Sequence, residues 1–441
     1  MSEWPTKTIK STSYLKGRIG WQGLRADEFL EEGPFLITGT DFTDGEIDWS
    51  NCYHVSEWRF REAAYIHVKN GDILITKDGT IGKVALVRRC PEKAVLNSGI
   101  FLLRCADGSY DHGFVYYVLT SEIFSDFLRK SLNGSTINHL YQHVFEKFRV
   151  PLPDKKEQKK IARILQIIDE SIKKNEALLD KHRQIKSGLM HDLFSRGIGP
   201  DGHLRPPREQ APELYQKTSI GWIPSDWETL KLSEILQKSG GYLQTGPFGS
   251  QLHSHEYTDE GIPVVMPQDI NNGSVDDSHI ARITESRAQT LAKHRLKIGD
   301  IIIARRGELS RAAAISQTEE GWVCGTGCFL LRLGGSSLDS SFFSLAYRHS
   351  MIQRQVDGLA VGSTMPSLNN GIVSKLVFPY MRKEEQSAIA DKVQLLDNRK
   401  TCAEIELKKL KSLKFGLMHD LLTGEVPVRI ESEEERAVET V

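Results

Sequence analysis

The sequence predicts an α+β fold written twice in tandem: two mixed α/β domains, each followed by a long helix. Three observations carry that expectation. Residues 151–194 return at 379–422 without a gap, residue 379 standing where 151 stood, an offset of 228. A constant offset of this size in a chain of 441 residues marks a duplication, and it fixes the architecture before any local feature does. The hexapeptide GLMHDL closes both copies, at 188–193 and 416–421. Ahead of each copy, short apolar runs are punctuated by Gly, Asn and Asp, the grammar of strands and turns.

In the first half, GPFLITGTDFTDG (33–45), NGDILITKDGTIGKVALVRR (70–89) and LNSGIFLLR (96–104) read as strand-and-turn segments, and GFVYYVLTSEIFSDFLRKS (113–131) as a helix. The second half repeats them at the same offset: Gly33, Asp41 and Gly45 recur as Gly261, Asp269 and Gly273, and Phe101–Arg104 as Phe329–Arg332. Gly134, Ser135 and Thr136 recur as Gly362, Ser363 and Thr364. The turn Lys77-Asp78-Gly79-Thr80 instead becomes Arg305-Arg306-Gly307-Glu308. Framework residues are kept and exposed polar ones change, which predicts one scaffold with two surface specificities. Trp4 matches Trp227 at an offset of 223, so the length difference between the copies falls early in the domain.

The repeated helices carry one apolar stripe each. Ile161, Leu165, Ile168, Ile172, Leu179, Ile185, Leu189 and Leu193 follow steps of three and four, as do Ile389, Val393, Leu396, Leu407, Leu410, Leu413, Leu417 and Leu421. A single stripe on a helix this long predicts a coiled-coil seam. Asn175 and His182 interrupt it where Ala403 and Leu410 stand in the other copy. Asp154 with Glu157 forms a capping signature that Arg382 removes from the second helix. Roughly 40 helical residues span about 60 Å, the length of a spacer. Residues 197–227, rich in Pro and Gly, read as an extended linker docking along the surface, and 425–441, with six Glu and two Arg, as a disordered acidic tail.

Composition narrows the function class. Hydrophobic residues at 39% and charged residues at 26% describe a globular chain with material for two cores. A net charge of −1 excludes a uniformly basic coat and leaves room for local patches. The six cysteines, at 52, 90, 105, 324, 328 and 402, form no CxxC pair and read as reduced thiols. No apolar run reaches the length of a membrane span and the first residues lack a signal-peptide profile, so the expected location is cytoplasmic. Phosphate-loop, dinucleotide, HExxH and GxSxG signatures are missing. His253 and His255 beside Glu256 could be a metal fragment, but a solvated loop is the expected reading and no metal site is assigned. His191-Asp192 and His419-Asp420 are neighbours that face different ways on a helix, so no catalytic dyad is expected.

Binding chemistry remains. In QTGPFGSQLHS (244–254), Thr245, Ser250 and Gln251 combine with glycines so that backbone N–H groups and hydroxyls can approach phosphates. Lys77, Asp78, Thr80 and Lys83 in the first half, and Arg305, Arg306 and Arg311 in the second, lie on strand-ending turns. Arginine there can bind a guanine edge bidentately or pair with phosphate. Gly134, Ser135, Thr136, Ser363 and Thr364 supply further small polar groups. The first helix leans basic, ten Lys/Arg against six Asp/Glu over 154–186.

The order of domain, helix ending in GLMHDL, Pro-rich linker with SIGWIPSDWE, second domain and helix ending in GLMHDLLTGEV resembles the specificity subunit of type I restriction-modification systems. QTGPFGSQL (244–252) and KEEQSAIA (383–390) strengthen it, and the resemblance covers nearly the whole chain. It implies two target-recognition domains, 1–152 and 223–380, reading the two halves of a split double-stranded DNA sequence. Spacer helices at 153–195 and 381–423 would pair as an antiparallel coiled coil, with a linker at 196–222 and the tail at 424–441. It implies a non-catalytic chain without a cofactor of its own. Two methyltransferase subunits would bring S-adenosylmethionine, and translocase-endonuclease subunits would use ATP and Mg. Two other readings compete: a self-sufficient methyltransferase or nuclease, against which the missing NPPY/F-like tetrapeptide speaks, and a coiled-coil scaffold that binds protein only.

Overall fold

The computed structural model describes residues 4–19, 23–132, 139–249, 251–335, 338–360 and 367–429. It divides into two compact units, residues 1–178 with 403–441, and residues 179–402. Each unit thus holds one mixed α/β body and a part of both long helices, Lys155–Ser195 and Lys383–Thr423. Among the described residues, no helix is long and apolar enough to cross a membrane.

In unit 1 a four-stranded antiparallel sheet joins β1 (Ser13–Gly17), β2 (Ile73–Thr76), β3 (Val84–Leu86) and β4 (Ile100–Cys105) in the order β1-β4-β2-β3. Unit 2 builds the same sheet from β5 (Tyr242–Thr245), β6 (Ile301–Ala304), β7 (Ala312–Ala314) and β8 (Cys328–Arg332), in the order β5-β8-β6-β7. The registers match residue for residue: Phe101 faces Gly17 and Ile75 as Phe329 faces Thr245 and Ile303. Behind each lies a three-stranded sheet with a parallel pair, Leu36 beside Val95 and Val264 beside Val323. Gly33 and Gly261 bend these sheets' edges at φ 125° and 128°, where a Cβ would lie 2.6 Å from the Val55 carbonyl and 2.2 Å from that of Ile283. Only glycine fits either place.

The length difference also resolves. The edge pairings Thr6 with Pro151 and Thr229 with Pro379 are related by 223 on one strand and 228 on the other, whereas Tyr14 and Tyr242 already match at 228. Between them stands a helix of four residues in unit 1, Ile9–Thr12, and of eight in unit 2, Leu232–Ser239. The inserted residues therefore make an extra helical turn.

Buried polar pairs hold both bodies alike. Arg104 Nε and Nη2 reach the two Asp72 oxygens at 2.7 Å each, and Arg332 holds Asp300 at 2.7 and 2.5 Å. Gln158 and Gln386, each almost wholly buried, accept from Asp111 N (2.7 Å) and Asp339 N (2.8 Å) and donate to the Pro153 and Met381 carbonyls. These side chains tie each long helix to its body.

Three expectations are corrected. The helix at 113–131 is two helices, His112–Leu119 and Glu122–Leu132. Thr120 and Ser121 break it by turning their hydroxyls onto the Tyr116, Tyr117 and Val118 carbonyls. The linker is more than an extended tether: Tyr215–Thr218 and Gly221–Pro224 form a hairpin, and Arg205 is buried against Glu385. The stripe also slips at matching places, leaving Ile185 44% and Leu413 46% exposed. Two successive steps of three rotate a side chain about 120° off the seam, so the stripe loses phase there.

The pairs Asp169–Lys414 (2.6 Å) and Glu176–Lys411 (2.7 Å) in unit 1 make the long helices antiparallel, since one number rises as the other falls. In unit 2 Lys186 pairs with Asp397 at 2.5 Å. Under the offset Lys186 becomes Lys414 and Asp169 becomes Asp397, so the two units use one bond with the helices exchanged. Asp154 caps the first helix through Lys156 N (2.6 Å) and Glu157 N (3.2 Å), as its sequence predicts.

Candidate nucleic-acid interface

In each unit, chain segments far apart in sequence meet at the carboxyl end of the parallel strand pair. Unit 1 places the β2–β3 turn there. Its closure is local: Thr76 Oγ1 donates to Thr80 O at 2.5 Å and accepts from Lys83 N at 3.0 Å. Lys77 N donates to Gly99 O (2.9 Å), its ammonium sits 5.2 Å from the Phe101 ring centroid, and its carbonyl accepts from Leu140 N (2.8 Å). Asp78 bridges His139, whose Nδ1 meets its carboxylate. Asp78, Thr80 and Lys83 are exposed. Lys77, Asp78, Thr80 and Lys83 are therefore brought onto one turn beside His139 and Leu140, three and four positions after Gly134, Ser135 and Thr136 in the sequence. Those three lie outside the described residues.

Unit 2 repeats this with other chemistry. Arg305 N donates to Gly327 O (2.8 Å), its guanidinium lies 6.0 Å from the Phe329 ring centroid, and its Nε reaches the Leu368 carbonyl at 3.2 Å. Arg306 is exposed and bridges Ser367. Thr245 pairs with Phe329, so strand β8 lies between it and Arg305. Arg311 faces inward: its Nη1 donates to the carbonyls of Pro267, Gln268 and Ile270 at 3.4, 3.0 and 3.1 Å, and its Nε to Glu308 at 2.8 Å. It clamps the neighbouring loop. The Gln251 side chain closes its own turn by accepting from Phe248 N at 3.1 Å. Ser250, Ser363 and Thr364 lie outside the described residues.

The neighbouring loop is framed by the repeated aspartates. Asp41 accepts from Thr38 N at 2.7 Å and Asp269 from Met266 N at 2.8 Å, and both are buried. Burial pushes the Asp269 carboxyl above its ordinary range. These caps fix the loops that carry Thr38 and Thr40 in unit 1 and exposed Gln268 in unit 2. A third segment follows the parallel partner strand: Asn97 N bonds Ile37 O, and Gly325 N bonds Val265 O, both at 2.9 Å. Sequence reasoning passed over Thr38, Thr40, Asn97, Ser98 and His139, and over Phe248, Gln268, Thr326 and Ser367. Pairing Asn97-Ser98-Gly99 with Gly325-Thr326-Gly327 at the common offset was the signal that could have found them.

The arrangement offers side-chain donors and acceptors on a fixed backbone, with one cation over an aromatic ring in each unit. Such a surface can bind phosphate and read base edges. Two of the other polar candidates are occupied elsewhere: Glu256 holds Arg287 (2.7 Å) and His253 N (2.7 Å), and Asp192 pairs with Arg196 (3.4 Å). All six cysteines are free thiols, and burial pushes Cys328 well above its ordinary range.

Comparison with known proteins gives one family. Residues 24–181 and 224–414 match the type I restriction modification DNA specificity domain. The chain is 24% identical over 421 residues to the putative type I restriction enzyme MjaX specificity subunit of Methanocaldococcus jannaschii, covering 92% of this chain and 91% of that one. It is 24% identical over 372 residues to the MjaVIII specificity subunit of the same organism, covering 82% and 81%. The crystal structure of a type I restriction-modification S subunit from M. genitalium aligns with a TM-score of 0.57 at 19% identity, over 97% of each chain. That likeness speaks for the fold.

Proposed function

Because the chain belongs to the type I restriction modification DNA specificity family, the non-catalytic part of such enzymes, we propose that it reads a two-part duplex target, one half-site with each unit. Specificity subunits of this family bind DNA and assemble with modification and restriction subunits. The reading assigned to this chain is that two methyltransferase subunits carrying S-adenosylmethionine dock on it, with translocase-endonuclease subunits using ATP and Mg. It places the assembly in the cytoplasm, contributes recognition and supplies no catalytic group. One observation carries the two-part reading: the same loop cluster occurs twice on a retained framework, while its exposed side chains differ. Lys77 and Asp78 stand where Arg305 and Arg306 stand in the other unit, so unlike half-sites are expected. In unit 1 the readers are Lys77, Asp78, Thr80 and Lys83, and the sequence adds Gly134, Ser135 and Thr136 as candidates. In unit 2 they are Thr245, Arg305 and Arg306, joined by Gln268, and the sequence adds Ser250, Ser363 and Thr364 as candidates. Arg311 and Gln251 act by holding the loops.

The test is a base-by-base binding profile of the chain reconstituted with its methyltransferase subunits. Replacing Arg305 and Arg306 with Ala should cost ~1–3 kcal/mol at one half-site and leave the other unchanged. Equal weakening on every DNA sequence, with a shallower salt dependence, would make these arginines phosphate contacts. No change at either half-site would overturn the assignment of this face.

A further inference from the structure

The loop leaving β5 presents an apolar side chain at the edge of the same cluster, and that side chain has no place in the polar readout just described. Phe248 is 55% exposed. Single exposed apolar residues are common on protein surfaces and need no function. Three features set this one apart. First, its backbone is fixed. Gly246 N donates to Cys328 O at 2.8 Å, and a Cβ on Gly246 would lie 2.0 Å from the Gly325 carbonyl, so the chain passes where only glycine fits. Pro247 is buried and its carbonyl accepts from Thr326 Oγ1 at 2.9 Å. Phe248 N donates to Gln251 Oε1 at 3.1 Å, and its carbonyl accepts from Gln251 N and Leu252 N at 2.7 and 3.1 Å. The ring is thus held out from a backbone tied down on both sides, and little backbone freedom is lost when it meets a partner. Second, the ties run to the arginine turn: Thr326, which holds Pro247, precedes Gly327, whose carbonyl holds Arg305 N. Third, unit 1 exposes a different apolar residue in the corresponding loop, one position away from the place of Phe248 at the common offset. The loop leaving β1 sets Ile19 46% exposed, with Ile19 N anchored on the Tyr65 hydroxyl at 3.0 Å and the preceding Arg18 buried with Nε on Leu96 O at 2.9 Å.

Resting on the DNA-reading assignment above, we propose that Phe248 makes an apolar base contact in the half-site read by unit 2, and Ile19 its counterpart in the other. An aromatic ring has no hydrogen-bond code, so it reads duplex DNA by shape. It packs on a thymine methyl in the major groove or wedges against an easily unstacked base step. Either contact makes specificity that the turn cations cannot.

The test uses the chain reconstituted with its methyltransferase subunits and target duplexes, comparing Phe248→Ala, Phe248→Leu and Arg306→Ala. Phe248→Ala should weaken cognate binding about tenfold or more, leave non-cognate affinity and its salt dependence unchanged, and leave the thermal midpoint of the complex in place, with Phe248→Leu recovering much of the loss. Replacing each thymine of that half-site by uracil separates the two contacts. A loss at one position in the parent and none in Phe248→Ala identifies a methyl. No uracil effect, with the Phe248→Ala loss larger on targets with flexible than with stiff base steps, identifies a wedge. If Arg306→Ala relaxes the half-site while Phe248→Ala binds as the parent does, the apolar contact is refuted and the DNA-reading face stands. If neither variant changes recognition, the face itself is wrong.

Discussion

Glu385 is buried at the start of the second long helix, where it collects bonds from residues 187, 180 and 158 positions back along the chain. Its oxygens accept from Ile198 N (2.8 Å), Arg205 Nη1 and Nη2 (2.6 and 3.1 Å) and Trp227 Nε1 (3.1 Å). The Arg205 and Glu385 side chains are 8% and 3% exposed. A buried pair of this kind contributes little net stability, but deleting one partner strands the other charge. Arg205→Ala should therefore destabilise unit 2 by ~3–5 kcal/mol, and Glu385→Gln by less, since it keeps the acceptor oxygen; denaturant midpoints decide. His349 works in the opposite electrostatic sense. It stacks on Phe194 with ring centroids 4.6 Å apart and caps Met351 N at 3.3 Å. Burial, helped by nearby His191 and Arg354, holds its imidazole down to about 4. The unfolded chain protonates this group as pH falls below about 6.5, while the folded chain stays neutral until about 4, so stability drops across that window and levels off beneath it. The loss should be on the order of 2 kcal/mol after discounting for partial exposure, and His349→Asn, which keeps a cap without a titration, should remove that share of the slope in thermal scans.

The long helices show how far elements are legible in a sequence and where legibility stops. The two long helices and the duplicated sheets follow from a repeat that any reader can align, because main-chain periodicity and core apolarity are local properties; the antiparallel pairing was implied by the family resemblance alone. The seam's phase was not legible: Ile185 and Leu413 look like seam residues, yet His182 and Lys186, with Leu410 and Lys414, stand nearer the partner helix's side. Asn175 Oδ1 and His182 Nδ1 are buried without a hydrogen-bond partner among the described residues, a polar interruption of the kind that fixes register at some cost in stability. The recognition cluster was half legible. Turn cations announce themselves, but Gln268, Thr326 and Phe248 gain meaning only when three loops meet in space, and Arg311 looked free until its donors were seen on three carbonyls. If helix length sets the gap between half-sites, adding one heptad to both helices, after Glu176 and after Glu404, should lengthen it. Seven residues add about 10 Å, which is roughly three base pairs, and they keep the apolar stripe in phase. The added base pairs turn the duplex by roughly 100°. Sequencing of methylated sites in a host carrying the variant should show both half-sites unchanged across a gap about three base pairs longer, or lost methylation where the turn cannot be absorbed; the original gap at full activity would refute the ruler.

For the whole molecule, the account rests on two bodies of one design carrying different readers. The exchange of Asp169–Lys414 for Lys186–Asp397 under the offset means that each unit, taken by itself, meets its part of the long helices through the same bond. The backbone of duplex DNA has two-fold symmetry, so identical bodies should read inverted identical half-sites. The native target departs from an inverted repeat, on this account, because the bodies differ in residues such as Lys77 against Arg305 and Asp78 against Arg306, and in the loops that carry Ile19 and Phe248. Copying residues 14–150 of unit 1 over 242–378 of unit 2 preserves every strand register that the two share. The measurement is the map of methylated sites in a host carrying this symmetrised chain with its methyltransferase partner, beside the map for the parent. The account predicts an interrupted target of two unlike halves for the parent and an interrupted inverted repeat of the unit 1 half-site for the symmetrised chain; the parent's target unchanged in the symmetrised chain, or a continuous target in either, would contradict it.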